Sequence, residues 1–374
     1  MASIQKRPND KWRARYRDPA GKEHARHFER KADAQRWLDE VTASMITGQY
    51  VDPRNGRITF GKWFEEWSAR QDWQPSTVET ATRVIESVPF RQTPLSAIRT
   101  ADVQKWMKSM SAPRPGRPDG LARSTKLMRL QYVRMTFSAA VAEKRINEDP
   151  TAKVKLPKRT KGQVEILPPT SEQLARIIAA ADEDFATFIR VCAFAGLRLG
   201  EAAGLQLGDV DFLRRSIHVR RQVQGNTRSN ARVCAPKYGS TRTVHVPAQL
   251  VDDIAAHVQR FGVRGPDQWL FSREGHVHNR LSAGHLWRRA RTAAGVPEFT
   301  LHDCRHYYAS GLIAATCDVV TVQKALGHSS PTVTLNIYAH MWPTAEDRTR
   351  SAATDLMAEV ANPRADSPRT KEAK

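Results

Sequence analysis

Apolar and polar residues alternate at the start of the chain and then change to a helical spacing. In residues 11–17 basic side chains alternate with aromatic or small ones, which is the period of a β-strand. The turn sequence DPAG follows, and KEHARHF predicts a returning strand. From Lys31 the apolar residues recur as on one face of a helix. Residues 1–55 are therefore predicted to form a small sheet backed by a helix.

Residues 56–149 have helical periodicity almost throughout. TFGKWFEEWSARQ predicts a stripe of buried aromatic residues on one helix face. A further helix is predicted to begin at Thr100, with this threonine as its N-cap. After the loop APRPGRPDG, a long helix is predicted over about 123–146. The segment therefore predicts a compact, all-helical domain. The stripe consists of Phe60, Trp63, Phe64 and Trp67.

Residues 170–348 are predicted to form a third domain that combines helices with a few strands. It begins with the capping box TSEQ, in which Thr170 and Gln173 would cap the first helix. A buried helix is expected to end at Gly196. RSIHVRRQ and RTVHVPA alternate as strands do, with PKYGST as a turn between them. Further helices are predicted over 249–260, 283–294, 302–315 and 319–326.

The remaining segments are polar. Residues 150–169 are basic and rich in proline, which is typical of a linker, and residues 349–374 are predicted to start as a short helix and end disordered. The fold class that follows is mainly α with small β regions. This is an α+β multidomain protein with a mostly helical third domain that contains a small antiparallel sheet.

The chain is strongly basic. Its 374 residues include 59 Lys or Arg and 39 Asp or Glu, for a formal net charge of +20. Such a surface attracts polyanions, most often nucleic acid, although a ribosome-associated protein would share this composition. Hydrophobic residues make up 40%, enough for real cores, which argues against a mostly disordered protein. The candidate DNA contacts in the most basic segments are Lys11, Arg13, Arg15, Arg17, Arg123, Lys126, Lys158 and Arg159.

The cysteines and the apolar segments indicate the compartment. The four cysteines are not spaced as metal ligands, and no secretion signal precedes them. No apolar stretch reaches the roughly 18 residues that a membrane span needs. We therefore expect a cytoplasmic protein with free thiols and no membrane contact. The cysteines are Cys192, Cys234, Cys304 and Cys317.

Four separate boxes of the third domain supply reactive side chains. They are AGLRLGEAAGL, APKYGSTRTV, LHDCRH and ALGHSSPTVTLNIYAHM. In LHDCRH, the histidine and the arginine are three residues apart and so share a helix face. The boxes contribute two guanidiniums, a carboxylate, an ammonium, two imidazoles and a phenol. These belong to Arg198, Glu201, Lys237, His302, Arg305, His328 and Tyr338.

This set matches the needs of a phosphodiester under nucleophilic attack. The attacked phosphate gains negative charge on its non-bridging oxygens, which arginine forks fit while they stay protonated. A tyrosine, with a pKa of about 10, attacks only in positive surroundings or beside a base. A lysine can protonate the departing oxygen. Since no carboxylate cluster for Mg²⁺ is evident, the set indicates metal-free phosphoryl transfer to tyrosine.

With these motifs the chain resembles the tyrosine recombinases, specifically phage-type integrases with an additional amino-terminal arm-binding domain. AGLRLGEAAGLQLGDVDF resembles the first arginine box of that family, and LHDCRHYYAS resembles its His-x-x-Arg box. LGHSSPTVTLNIYAH resembles the box that holds the second histidine and the nucleophile. The resemblance is strong over roughly 165–345, holds in outline over 56–149 as a helical core-binding domain, and is weak over 1–50.

The resemblance implies a role for each of these residues. Tyr338 would attack the scissile phosphate, form a 3′-phosphotyrosyl link and free a 5′-hydroxyl. Arg198 and Arg305 would clamp the non-bridging oxygens, and His328 would add a hydrogen bond there. His302 would assist proton movement at the phenol.

The resemblance also assigns the leaving-group side of the reaction. Lys237 would protonate the departing oxygen, and Glu201 would orient the basic groups. The motif around this lysine is loose in the family, so Arg232 or Arg242 could approach the phosphate as well. Neither ATP nor a metal cofactor would be required. The implied partners are double-stranded DNA with core and arm sites, three further copies in a tetramer on a four-way junction, an excisionase and a host DNA-bending protein.

Each residue also has a purely structural interpretation. Tyr338 alone is an ordinary half-buried helix residue, and Glu201 beside an arginine is usually an ion pair of small effect. His302 and His306 have the spacing of zinc ligands, but no third ligand motif follows. For the whole chain, the alternatives are a type IB topoisomerase-like enzyme and a DNA-binding protein with an inactive site.

Overall fold

A computed structural model describes most of the chain. Its contacts divide the protein into two compact units, Met1–Lys161 and Gly162–Lys374. Among the described residues, no helix has the length and apolar composition needed to cross a bilayer. Lys158 and Arg159, two of the candidate DNA contacts, lie outside the described residues. The description omits Met1, Ala20, Gln49, Arg114, Arg117, 156–166, Glu274, Pro297, 343–344 and 362–374.

The chain begins with a three-stranded antiparallel sheet covered by one helix. The strands β1 (Ser3–Lys6), β2 (Trp12–Arg17) and β3 (Glu23–Phe28) pair in sequence order, and α1 (Lys31–Ile46) packs on one face. The predicted strands and helix are confirmed, but β1 was not predicted. A single apolar residue, Ile4, does not create a detectable alternation in so short an edge strand.

The two faces of this sheet differ in chemistry. Ala14 and Tyr16 of β2 are buried against Ala34 and Leu38 of α1. The alternate residues of β2 therefore lie on the opposite, open face, since successive strand side chains point to opposite sides. That face carries Arg13, Arg15 and Arg17.

Four helices form the next core. They are α2 (Phe60–Ser68), α3 (Pro75–Glu86), α4 (Thr100–Ser109) and α5 (Arg123–Ala142). The predicted aromatic stripe is buried, and the indole Nε1 of Trp63 donates a 3.0 Å hydrogen bond to the backbone oxygen of Thr136.

Two helix boundaries in this core were predicted wrongly. The N-cap of α4 is Arg99 instead of Thr100, because the carboxylate of Asp102 accepts from the Arg99 backbone N–H at 2.9 Å. Helix α5 ends at Ala142 instead of about residue 146, since Lys144 has a φ of 51°.

The second unit is mainly helical. The capping box of Thr170 and Gln173 is present as predicted. The helices that pack around the core are α6 (Ser171–Ala180), α7 (Glu183–Phe194), α8 (Leu199–Ala203), α9 (Ala248–Phe261) and α10 (Arg280–Ala293). They are followed by α11 (Leu301–Ala314), α12 (Val319–Leu326), α13 (Pro331–Tyr338) and α14 (Ala345–Ala361).

The strands of this unit are more numerous than predicted. A three-stranded sheet consists of β4 (Val210–Asp211), β5 (Ser216–Val219) and β8 (Arg242–His245). Between β5 and β8 the chain forms a hairpin of β6 (Gln222–Gln224) and β7 (Arg232–Cys234), and β9 (Ser272–Arg273) pairs with β10 (His276–Val277).

RSIHVRRQ was predicted as one strand, but it contributes to two. It breaks at Arg220 and Arg221, where the Arg221 guanidinium turns to the buried carboxylate of Asp209. PKYGST therefore lies between β7 and β8, and the hairpin of β6 and β7 separates it from β5. It contains the 3₁₀ turn Lys237–Gly239.

Candidate active site

Three arginines from separate parts of the second unit meet at the carboxyl end of α12. Arg242 donates from Nε to the backbone oxygen of Ala325 at 2.9 Å, and Arg305 donates to that of Leu326. Arg198 donates to the oxygen of Gly327 at 3.1 Å. The last carbonyl groups of a helix lack partners within the helix and carry partial negative charge, so they attract cations. One helix terminus therefore collects side chains that lie far apart in the sequence.

Glycine is required at two points of this arrangement. Gly327 ends α12 in the left-handed region with a φ of 63°, and a Cβ there would lie 2.8 Å from the Arg242 guanidinium. Gly196 also has a positive φ, of 64°, and its backbone oxygen accepts from Arg305 at 2.6 Å. A Cβ at Gly196 would lie 2.3 Å from the ring of Tyr308. Both glycines permit turns that bring backbone oxygens to the arginines.

A single buried carboxylate links two of the three guanidiniums. Glu201 is 1% exposed, and its oxygens accept from Arg198 at 2.6 Å and from Arg242 at 2.8 Å. Burial opposes its ionisation, but the hydrogen bonds and charges of Arg242 and Arg198 hold the pKa of Glu201 at about 2. The carboxylate is thus a counter-ion for the cationic cluster, and the orienting role expected of it stays a prediction.

The cluster keeps an excess of positive charge. Burial lowers the pKa of Arg305 to about 9, and the neighbouring Arg198 and Arg242 contribute to the lowering. The Arg198 side chain is 22% exposed and that of Arg242 is 8% exposed, whereas Arg305 as a residue is 2% exposed. An anion that enters from solvent would therefore meet Arg198 first.

The two predicted histidines lie next to this charge. Partial enclosure of the His328 ring and the charge of Arg305 lower its pKa to about 4. The pKa of His302 is also lowered to about 4, first by the packing around its ring and then by His306 and Arg305, although part of its surface is exposed. Both imidazoles are therefore neutral at pH 7 in the free protein. Thr334 lies 2.9 Å from Nδ1 of His328, which leaves Nε2 for another partner.

Tyr338 is the last residue of α13 and is 1% exposed. Its hydroxyl lies 2.6 Å from Nδ1 of His306, which is also buried. Burial raises the pKa of Tyr338 to about 12, although the charge of Arg305 opposes the rise. The phenol is thus protonated at pH 7, and the imidazole that contacts it is His306, whereas the sequence had assigned its proton movement to His302.

Two residues were undervalued in the sequence, and each could have been found from its spacing. Arg242 was an alternative phosphate contact, and it lies two residues before the buried Val244 in β8, on the same face of the strand. His306 was considered only as a zinc ligand. It lies one helical turn after His302, and the two rings are 4.8 Å apart. Arg232 is not part of the cluster, since it is exposed and contacts Gln224 along the hairpin.

Lys237 stands apart from the arginine cluster. It is exposed on the 3₁₀ turn just before β8, and its side chain makes no hydrogen bond or ion pair to the cluster in the described part of the chain. Because Lys237 lies on an exposed turn, its side chain has room to reorient when a ligand binds.

The candidate DNA contacts of the first unit are partly paired with acids. Glu23 lies 3.5 Å from Arg13, 3.9 Å from Arg15 and 3.7 Å from Arg17, all on the open face of the sheet. Lys11 pairs with Glu29 at 2.9 Å. Since these pairs are exposed or half-exposed, they are weak and can exchange for a phosphate.

Two further candidate contacts lie at the start of α5. Arg123 is exposed there, and the ammonium of Lys126 donates to the hydroxyl of Ser111 at 2.7 Å.

One group of potential metal ligands occurs among the described residues. Asp18, His24 and Asp52 bring three ligand atoms within 4.8 Å of one another. Asp18 already accepts from His24 at 2.8 Å, and Lys22 contacts Asp52 at 3.2 Å. These contacts satisfy the group without a cation, so we assign it to the packing of the first sheet.

The chain matches three family models. The model described as the phage integrase family matches residues 169–344. The phage integrase N-terminal domain matches residues 2–47, and the phage integrase N-terminal SAM-like domain matches residues 59–111. Together the three models account for the amino-terminal sheet with α1, for α2, α3 and α4 of the helical core, and for residues 169–344, which contain the arginine cluster.

Two bacterial proteins are similar to the chain over nearly its whole length. The phiRv2 prophage integrase of Mycobacterium tuberculosis is 26% identical over 360 residues, which cover 92% of this chain and 92% of its own. A XerC-like tyrosine recombinase of Caldanaerobacter subterraneus is 25% identical and covers 91% of this chain and 94% of its own.

Solved structures of integrases have the same fold. The Tn1549 transposon integrase in complex with transposon right end DNA has a TM-score of 0.67 at 20% identity, covering 80% of this chain and 100% of that one. A lambda integrase tetramer bound to a Holliday junction has a TM-score of 0.59 at 17% identity, covering 91% of this chain and 94% of that one.

Replacement of Glu201 by glutamine tests whether this carboxylate holds the cluster together. The buried guanidinium of Arg242 and the partly exposed guanidinium of Arg198 would lose their counter-ion, so we expect the free energy of unfolding at pH 7 to fall by about 3–5 kcal/mol. Chemical denaturation measures the change. Glu183→Gln is the matched control, because its pair with Arg260 is exposed and should contribute less than about 1 kcal/mol. If both substitutions lower the free energy of unfolding equally, Glu201 does not hold the arginine cluster together.

Proposed function

The chain is a tyrosine-type site-specific recombinase of the phage integrase family, and we propose that it integrates and excises a mobile DNA element through a covalent bond to Tyr338. The observation that carries this proposal is the convergence of Arg198, Arg242 and Arg305 at one helix end, with Tyr338 close enough for Arg305 to affect its pKa. A cationic cluster beside a phenol is suited to phosphate transfer onto tyrosine.

In the proposed cleavage step, the phenolic oxygen of Tyr338 attacks the scissile phosphorus. An O–P bond forms, the phenol loses its proton, and the bond from phosphorus to the 5′ oxygen breaks. Arg198, Arg242 and Arg305 hold the non-bridging oxygens, and Nε2 of His328 donates to one of them once the phosphate has offset the surrounding positive charge. Removing one such preorganised donor typically costs about 10²–10³ in rate.

Lys237 supplies the proton that the departing 5′ oxygen takes up. Its exposed turn lets it approach a DNA strand that lies over the arginine cluster. The phosphotyrosine conserves the energy of the broken bond, so a 5′-hydroxyl of a partner strand can attack and reseal without ATP or a metal. Two such rounds would exchange both strands through a four-way junction.

The partners follow from this reaction and from the relatives. Double-stranded DNA is the substrate, with core sites bound by the helical and catalytic domains and arm sites bound by the amino-terminal sheet. The similarity to a lambda integrase tetramer on a Holliday junction supports four copies on DNA. We further propose an excisionase and a host DNA-bending protein as partners, acting in the bacterial cytoplasm.

The proposed domain boundaries are 1–55 for arm binding, 56–149 for core binding, 150–169 for the linker, 170–348 for catalysis and 349–374 for the tail. Separate hydrophobic clusters around Tyr16, Trp63 and Phe188 support three domains, with a further cluster around Tyr338 in the catalytic one.

Replacement of Tyr338 by phenylalanine tests the covalent step. The wild-type protein is expected to form a protein–DNA adduct on a nicked suicide substrate, and Tyr338→Phe should form none while it binds the same DNA with unchanged affinity. Denaturing electrophoresis of labelled DNA measures the adduct. If the wild-type protein forms no adduct, the chain is a DNA-binding protein without this activity. Efficient relaxation of supercoiled DNA that lacks an attachment site would instead favour a topoisomerase-like enzyme.

The open face of the first sheet is expected to bind arm DNA. Replacing Arg13 and Arg15 by alanine should weaken arm-site binding and reduce the slope of log K against log salt by about 2, since each arginine would release roughly one counter-ion. Replacing Arg30 and Arg36, exposed in the same domain, is the charge-matched control and should leave arm binding nearly unchanged.

Cleavage of core sites should be normal in both variants and after deletion of residues 1–55. Integration should be impaired by that deletion, and unimpaired integration would refute the division of labour.

Helix α14 is proposed to pack onto a neighbouring copy of the chain. It exposes Leu356 by 64% and Val360 by 82%, one turn apart on one face. Replacing both by glutamate should abolish the tetrameric synaptic complex in native electrophoresis and spare binding of a single site. Leu213→Glu is the control, because that leucine is 96% exposed on a turn of the same unit. Normal synapsis by the α14 variant would refute this contact.

A further inference from the structure

We propose that His306 is the catalytic residue that orients the hydroxyl of Tyr338 and takes up its proton during attack. This inference rests on the proposed function and changes one assignment within it, since His302 had been expected to move this proton. The hydroxyl of Tyr338 lies 2.6 Å from Nδ1 of His306, within the range of a strong hydrogen bond.

We assign the phenol as the donor of this hydrogen bond and Nδ1 of His306 as the acceptor. The phenol is protonated at pH 7, so it has a proton to donate. Burial lowers the pKa of His306 and so favours the neutral ring, and the assignment places its proton on Nε2. A neutral imidazole with a free lone pair aimed at the nucleophile is the arrangement that general-base catalysis requires.

The position of His306 on α11 explains how it reaches the phenol while its neighbour reaches the phosphate. Arg305 precedes it by one residue and points to Gly196 and Leu326. His306 projects about 100° further around the helix, toward the core that Tyr338 shares with Ala309. One helix therefore presents a clamp to the phosphate and an acceptor to the attacking oxygen.

His302 is less suited to receive this proton. It lies one turn earlier on α11 with its ring 4.8 Å from that of His306, and it is exposed at the opening of the site. The described structure contains no hydrogen bond from His302 to Tyr338.

The proposed step balances as follows. The O–H bond of Tyr338 breaks as the O–P bond forms, and the proton moves to Nδ1 of His306, which becomes an imidazolium. The 5′ oxygen leaves with a proton from Lys237. On resealing, the 5′-hydroxyl attacks the phosphorus of the phosphotyrosine and gives its proton to the neutral amine of Lys237. The bond from phosphorus to the Tyr338 oxygen breaks, and the imidazolium of His306 returns its proton to the departing phenolate.

Replacing His306 by asparagine separates orientation from proton transfer. The asparagine Oδ1 occupies about the position of Nδ1 and can accept the hydrogen bond, but it cannot take the proton. We expect His306→Asn to cleave a suicide substrate about 10²–10⁴-fold more slowly, with unchanged DNA affinity and melting temperature. His340→Asn is the matched control, because His340 is exposed two residues after the nucleophile and should cleave at the wild-type rate.

A nucleophile of lower pKa distinguishes a base from a purely structural residue. With 3,5-difluorotyrosine in place of Tyr338, proton removal is easier, so the rate of His306→Asn should recover by at least about tenfold. The rate of His302→Asn should not recover in this way. A substrate with a 5′-thiol leaving group should rescue a Lys237→Ala variant but not His306→Asn, since only the former lacks the leaving-group acid.

The outcomes of these experiments are separable. Absence of an adduct with the wild-type protein would refute the proposed function itself. If the wild-type protein forms the adduct and His306→Asn cleaves equally fast or faster, His306 only restrains the nucleophile of the free protein, and our inference is wrong. Recovery of His302→Asn but not of His306→Asn with difluorotyrosine would return the base to His302.

Discussion

The second unit is organised around one interaction, in which three arginine side chains bind three successive backbone oxygens at the carboxyl end of α12. A buried guanidinium is costly unless its N–H groups find acceptors, and a helix terminus offers carbonyl groups that have no partners of their own. The helix carbonyl groups therefore accept from the guanidiniums, and the guanidiniums supply the donors that these carbonyl groups lack. The arginines are thereby held in place before any substrate arrives, which is the condition under which hydrogen-bond donors stabilise a transition state most effectively.

Glu201 limits the repulsion that this arrangement creates. With one buried carboxylate among three guanidiniums, the site remains positive, and burial together with that charge keeps the nearby imidazoles of His302 and His328 neutral. Burial around Tyr338 likewise raises the pKa of its phenol and keeps it protonated. A phosphate bound at the cluster would supply the missing negative charge. In the proposed reaction, a bound phosphate would therefore favour the protonated form of the neighbouring imidazoles.

Several elements of the fold were predictable from the spacing of residues. The alternation in β2, the aromatic stripe of α2 and the capping box of α6 were each confirmed, because each depends on contacts within one element or its immediate neighbour. The errors have a common cause. The break of RSIHVRRQ depends on Asp209, and the N-cap of α4 depends on whether Asp102 or Thr100 makes the capping bond. A periodic pattern of apolar and polar residues does not show which of several polar side chains will make a given hydrogen bond.

The sequence by itself determined the inventory of the site, since only a few reactions use arginines, histidines and a tyrosine in this order, and local motifs identified each one. It also predicted a small sheet with one helix, an all-helical domain and a mostly helical third domain, in a chain with a strong excess of positive charge. Only the tertiary structure decided which groups touch. It brought Arg242 into the cluster and left Lys237 outside, and it placed His306 instead of His302 against the nucleophile. Two histidines one helical turn apart are equivalent in sequence, and the packing of α13 against α11 distinguishes them by burying one beside the phenol.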